Sequence, residues 1–238
     1  MMKMVINWSG GKDSALALHR IQQQSQYSVQ QLLTTINSAH GRVSMHGVPE
    51  ELIAAQAARL GLPLLTVRLP ETASMEQYQA TMDDALRPLV ASGILQAAFG
   101  DIFLEDLRAW REKQLASIGL TGVFPLWQVP SLSLLDEFWE AGFQTIVVAV
   151  NGDRLAKSFC GRVLDRQFVA DLPANVDPCG ENGEFHTFVF DAPYFSSPIN
   201  VSVGSVVERT YHFSDADGQE RTSTYYFADL QLTENEHG

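Results

Sequence analysis

Two apolar patterns take turns along this chain: short unbroken runs, and residues spaced three and four apart. A run at Met4, Val5 and Ile6 predicts a strand that ends at Trp8-Ser9-Gly10-Gly11. Ala15, Leu18 and Ile21 then recur at helical spacing and predict a helix over 14–24. The alternation repeats: strand 29–36, helix 49–60 with Pro49 in its first turn and Gly61 past its end, strand 63–69, helix 75–90 interrupted late by Pro88, strand 95–103, helix 105–118, strand 123–127. Repeated strand–helix alternation predicts a parallel sheet covered on both faces.

Past Pro130 the rhythm holds briefly, with a helix over 132–141 and a buried strand over 145–150, and then it changes. Residues 175–184 are dense in Asp, Pro, Gly and Asn and predict a loop. β-prone runs follow at 188–190, 199–207, 207–213 and 224–232, with Asp215-Ala216-Asp217-Gly218 as a hairpin turn between the last two. The expected organisation is an α/β domain over 1–128 and a smaller α+β, substrate-binding domain over 129–238, ending in a polar tail at 233–238. No internal repeat is visible.

Composition narrows the function. Hydrophobic residues make up 45% of the 238 and charged ones 18%, enough for a sizeable core and unlike a disordered chain. The net charge of −12 disfavours nucleic acid as a partner. Two cysteines, Cys160 and Cys179, supply neither a disulfide framework nor a four-cysteine zinc site. No apolar run approaches a membrane span, and the first residues do not read as a signal peptide, so the expected setting is cytoplasmic. A homo-oligomer stays open.

Ser9-Gly10-Gly11-Lys12-Asp13-Ser14 lies between a predicted strand and a predicted helix. Glycines let backbone N–H groups approach an anion, and the helix start adds unpaired donors and a positive dipole end. Lys12 adds a charge, Ser9 and Ser14 add hydroxyls, and Asp13 caps the helix or positions a metal. The spacing differs from the Walker A loop. Asp101 follows Gly100 at the end of the fourth strand, the edge where open α/β sheets bind ligands. The second cluster runs from Asp177 through Glu181, Asn182, Glu184, His186 and Thr187, ahead of a strand. Its acids either cap local N–H groups or serve as base, ammonium site or ligand. Cys179 within it reads equally as a small buried apolar residue.

Together these motifs resemble the diphthine–ammonia ligase family of the ATP pyrophosphatases. SGGKDS resembles that superfamily's pyrophosphate loop, and GENGEFHT matches late in the chain. Between them lie Met45-His46-Gly47, Phe99-Gly100-Asp101-Ile102, Arg108 with Glu112, Pro125-Leu126-Trp127-Gln128, and Gly161-Arg162 ahead of Leu164-Asp165. The resemblance implies a Rossmann-like, five-stranded parallel sheet and ATP-dependent amidation: a carboxylate becomes an acyl-adenylate, ammonia attacks it, and AMP and pyrophosphate leave. In the family the carboxylate is diphthine, a modified histidine on elongation factor 2. The resemblance assigns Ser9 to Ser14, His46, Gly100 and Asp101 to the nucleotide. It assigns Lys12, Glu181, Glu184 and His186 to catalysis, and Arg108, Trp127, Glu181, Asn182, Glu184 and Thr187 to the substrate. Mg²⁺ is implied by the triphosphate's charge, with no dedicated protein metal cage in the sequence. His46 also reads as a structural imidazole, Trp127 as core, and Arg108 with Glu112 as a surface ion pair. Other carboxylates or amines, and an ATP or AMP sensor without turnover, are the alternatives.

Overall fold

Neighbouring side chains of the first strand, β1 (Met2–Asn7), separate to opposite sides: Met4 and Ile6 enter one apolar cluster and Val5 another. The computed structural model describes residues 1–214 and 220–233, so the turn expected at 215–218 and the tail beyond Thr233 lie outside the described residues. After β1 come α1 (Lys12–Gln22), β2 (Tyr27–Asn37), the two-residue β3 (Arg42–Val43), α2 (Glu50–Leu60) and β4 (Leu64–Leu69). Then follow α3 (Met75–Ala91), β5 (Gln96–Ala98), α4 (Glu105–Ser117) and β6 (Thr121–Val123). Helices α1 and α2 pack on the Met4 and Ile6 side, and α3 and α4 on the Val5 side.

The five parallel strands run β4-β2-β1-β5-β6 across the sheet. Chain order therefore reverses beside β1, and the crevice at the carboxyl ends of β1 and β5 is the switch point of a Rossmann-like sheet. β3 pairs antiparallel with Ile36 and Asn37, on the edge of β2 opposite β4 and therefore beyond the end of β1.

A second, antiparallel sheet has the order β8-β7-β10-β9, formed by β7 (Gln144–Asn151), β8 (Phe185–Asp191), β9 (Val201–Ser214) and β10 (Glu220–Leu232). Helices α5 (Ser131–Glu140) and α6 (Arg166–Ala170) accompany it. Its buried side chains, Phe138, Val148, Phe168 and Phe188 among them, join the same cluster as Met4, Leu18 and Ile53. Arg20 of α1 ties the two parts further, donating to the Glu137 carboxylate of α5 and to the Pro125 carbonyl.

Several elements differ from the sequence expectation. The runs at 199–207 and 207–213 form one strand, β9. Residues 125–128 turn rather than extend, with Gln128 at φ +57° and its N–H on the Ile102 carbonyl. α3 passes through Pro88 to Ala91, since proline near a helix end removes one hydrogen bond without ending the helix. His186 and Thr187 belong to β8, not to the loop before it. No described helix is long and apolar enough to cross a membrane.

Candidate active site

The loop between β1 and α1 is held from behind by two elements. Gly10 adopts φ +79°, and a Cβ there would lie 2.5 Å from Ile53 Cδ1 and 2.7 Å from Gln56 Oε1 of α2. A Cβ on Gly11 would lie 2.9 Å from His46 Cε1 and 3.0 Å from the Thr187 carbonyl. Both glycines are thus required by packing, and neither lines the cavity in front of the loop. The Gly10 carbonyl accepts from Val189 N–H at 2.9 Å and from Gln56 Nε2 at 3.0 Å. Lys12 N–H donates to Thr187 Oγ1 at 3.0 Å. Strand β8 is therefore bonded to the phosphate-type loop although it lies far along the chain.

Gln56 has no exposed surface, and its amide is fully engaged. Oε1 accepts from Trp8 Nε1 at 2.8 Å, and Nε2 donates to the Gly10 and Val189 carbonyls at 3.0 and 2.7 Å. Sequence reasoning missed this residue. The available signal was a polar side chain on the apolar stripe Leu52, Ile53, Ala57 of α2.

In front of the loop lies a cavity of about 550 Å³. Ser9, Lys12, Asp13 and Ser14 form one wall, Gly100 and Asp101 another, and Glu181, Asn182, His186 and Thr187 a third, with His46 between the loop and β8. Lys12 Nζ reaches both Asp13 carboxylate oxygens at 2.8 Å. Burial works to lower the Lys12 pKa, but the surrounding acids, Asp13 foremost, outweigh it and the ammonium is raised. Burial raises Asp13 even so. Arg111 Nε lies 2.8 Å from Asp101 Oδ2, and its guanidinium stacks on Phe99 at 4.5 Å. Burial raises Asp101, against the pull of Arg111.

The acidic loop divides its three carboxylates between two tasks. Asp177 accepts from Cys179 N, Glu181 N and Ser131 Oγ at 2.6–3.1 Å. Glu184, 3% exposed, accepts from Asp177 N at 3.1 Å, Asn182 N at 3.0 Å and Asn182 Nδ2 at 3.1 Å. These two organise the loop. Glu181 alone leaves it, accepting from Ile102 N at 2.7 Å beside Asp101. Burial, reinforced by Asp13, pushes the Glu181 carboxyl up to about 7. Burial pushes the Cys179 thiol up to about 12, so it stays protonated and packs as an apolar group.

The rings of His46 and His186 are in contact, with centroids 4.5 Å apart and planes tilted by 32°. His46 Nδ1 lies 3.2 Å from the Thr187 carbonyl, and His186 Nε2 is buried without a partner. The β7–β8 ladder bulges where Val147 pairs with Thr187 and Ala149 with His186, so Val148 is the extra residue. Bulges re-aim side chains beside sites, and this one sits at His186 and Thr187, two of the three β8 residues that reach the cavity.

Five expected site residues do not line the cavity: Gly10 and Gly11, which pack behind it, and three placed elsewhere. Glu184 faces the loop backbone, for the reason just given. Arg108 pairs with Glu112 at 2.9 Å on the outside of α4, with its guanidinium 4.8 and 4.5 Å from the Phe124 and Trp127 rings, and neither Arg108 nor Trp127 lines the cavity. Arg111, less than one helical turn further along, is the α4 arginine that does. The resemblance placed Arg108 at the substrate, whereas its i,i+4 acid already read as the surface ion pair seen here; Arg111's partner, Asp101, lies outside the helix.

A phosphate-type loop at the switch point of a parallel sheet, closed by a strand from a second sheet, defines a nucleotide-binding α/β protein. Residues 2–122 match the diphthamide synthase N-terminal domain, and residues 130–219 match the diphthamide synthase C-terminal domain. The chain belongs to the diphthamide synthase family. It is also similar to the diphthine–ammonia ligase of Schizosaccharomyces pombe (strain 972 / ATCC 24843), with 30% identity over 97 residues. That match covers 39% of this chain and 16% of the relative.

Proposed function

We propose that the protein is an ATP-dependent, AMP-forming ligase that joins ammonia to a carboxylate through an acyl-adenylate. One observation carries the reading: the phosphate-type loop and the acidic loop, well over a hundred residues apart in sequence, wall a single cavity. A carboxylate is a poor acceptor for ammonia because its leaving group would be oxide. Attack of its oxygen on the α-phosphorus of ATP releases pyrophosphate, and the resulting acyl carbon carries AMP as a leaving group. The start of α1, Lys12, Ser9 and Ser14 suit the outer phosphates that depart. Glu181, with its pKa near 7, suits the proton that nitrogen must lose as the amide forms.

Among the described residues no group of three or more ligands forms a metal cage. Asp13 and Asp101 fit the usual arrangement for Mg²⁺, one or two carboxylates completing a shell supplied by phosphates and water. When bound there, Mg²⁺ would offset phosphate charge. The family and the named relative favour diphthine on elongation factor 2 as the carboxylate, with ammonia as the nitrogen donor. The direct test is incubation with ATP, Mg²⁺, ammonium and candidate carboxylates, diphthine-bearing elongation factor 2 included. The expected products are amide, AMP and pyrophosphate. Stoichiometric ADP, or saturable ATP binding with no AMP from any carboxylate, would refute the proposal.

A further inference from the structure

The cavity is short of positive charge for a triphosphate. Among the described residues that line it, Lys12 and Arg111 are the permanent cations. Each already has a carboxylate at 2.8 Å, Asp13 and Asp101 respectively, and Glu181 adds a third. The start of α1 offers partial positive charge, but the Lys12 N–H is committed to Thr187. Two neutral lining groups are able to turn cationic, His46 and His186.

Their placement suits that change. The His46 ring packs against Gly11, inside the loop, and touches the His186 ring. Because its Nδ1 faces the Thr187 carbonyl, Nδ1 carries the hydrogen there and Nε2 keeps a lone pair. His186 Nε2 is buried with no partner. A ring lone pair repels a phosphate oxygen, whereas a ring N–H attracts it, so one proton sets the sign of the contact. Burial lowers His46 to about 4 and holds His186 well below its ordinary value, and Lys12 adds to both.

We infer that the touching imidazoles of His46 and His186 take up one proton when the triphosphate seats on the loop, and then donate a charge-assisted hydrogen bond to it. The inference rests on the reading of the cavity as an ATP site. The arriving negative charge outweighs Lys12, and ring contact opposes a second proton, so uptake stops at one. The charged groups facing the pair across the cavity are Lys12 and Asp13 of α1, Asp101 after β5, Arg111 of α4 and Glu181 of the acidic loop. Departure of pyrophosphate removes the cause, and the proton leaves with it.

Calorimetric titration with ATP and Mg²⁺ near neutral pH, in two buffers of different ionisation enthalpy, counts the protons. The expected result is uptake of about one proton, with ATP affinity falling about tenfold per pH unit between the free pair's pKa and the bound pair's pKa and levelling off above the latter. His46→Asn and His186→Asn should each abolish the uptake, and Glu181→Gln should retain it. Nitrogen NMR of labelled histidine in the unaltered protein supplies a measurement independent of variant folding: one ring should gain the doubly protonated signature on ATP addition. ATP binding without proton uptake, rings that stay neutral, or uptake lost only in Glu181→Gln would overturn this inference and leave the ATP site standing. Absence of saturable ATP binding would overturn both.

Discussion

Replacing Gln56 by leucine tests how the phosphate-type loop is held. The change keeps the bulk and removes one acceptor and two donors. Trp8, 1% exposed, loses the partner of its indole N–H, which costs about 1–3 kcal/mol. The bonds to the Gly10 and Val189 carbonyls are worth about 0.5–1.5 kcal/mol each. The sum is about 2–6 kcal/mol, against a total stability of about 5–15 kcal/mol. Since about 1 kcal/mol moves the midpoint by about 2–4 °C at this size, melting should fall by roughly 5–20 °C with the fold retained. The Gly10 carbonyl loses one of its two donors and keeps Val189, and the Lys12 N–H keeps Thr187. ATP affinity should drop by about tenfold, the worth of one such bond, while AMP, which lacks the outer phosphates, should bind nearly as before. Thermal melts and parallel titrations with ATP and AMP read both effects. A variant that melts like the parent, or that loses ATP and AMP equally, would show that Gln56 does not position the loop.

Lys12→Ala should weaken ATP binding by about 10- to 150-fold, the worth of a charge-assisted contact, and parental affinity in a titration would remove the loop from the phosphate site. For Glu181 the folded pKa of about 7 lies above its ordinary value of 4.5, so its share of stability is full below 4.5 and is lost as pH rises towards 7. Glu181→Gln should therefore match the parent in urea melts at low pH and exceed it by about 1–3 kcal/mol at high pH; equal stability at both would refute the raised pKa. Glu184→Gln should keep ATP binding and lose most product formation, because an amide NH₂ then faces the N–H groups the carboxylate now accepts. Hydrogen exchange at Asp177 and Asn182 should rise with it, whereas lost activity with unchanged exchange would place the carboxylate in the chemistry itself.

The parallel sheet was legible because β-prone runs alternate with segments of helical apolar spacing. β3 was not, since two residues carry no period, and the extent of β8 was not, because His186 and Thr187 look like loop residues until Val147 and Ala149 pair with them. The loop Ser9 to Ser14 declared its chemistry locally. The acidic loop did not, because Asp177, Glu181 and Glu184 are alike in sequence and differ only in which N–H groups surround them. Arg111 and Gln56 were hidden for a related reason: their partners, Asp101, Trp8, Gly10 and Val189, come from other elements.

The bond from Val189 N–H to the Gly10 carbonyl also sets an order of events during synthesis. β1 and α1 leave the ribosome long before β8 exists. From Lys12 to Val189 is 189 − 12 = 177 residues, about 9–35 s of translation at about 5–20 residues per second. Through that interval Gly10 and Gly11 have no strand against them, and the Lys12 N–H has no Thr187 to meet. The loop therefore lacks these bonds until β8 is made. The loop's full set of bonds is thus completed at a late step, when the last quarter of the chain docks.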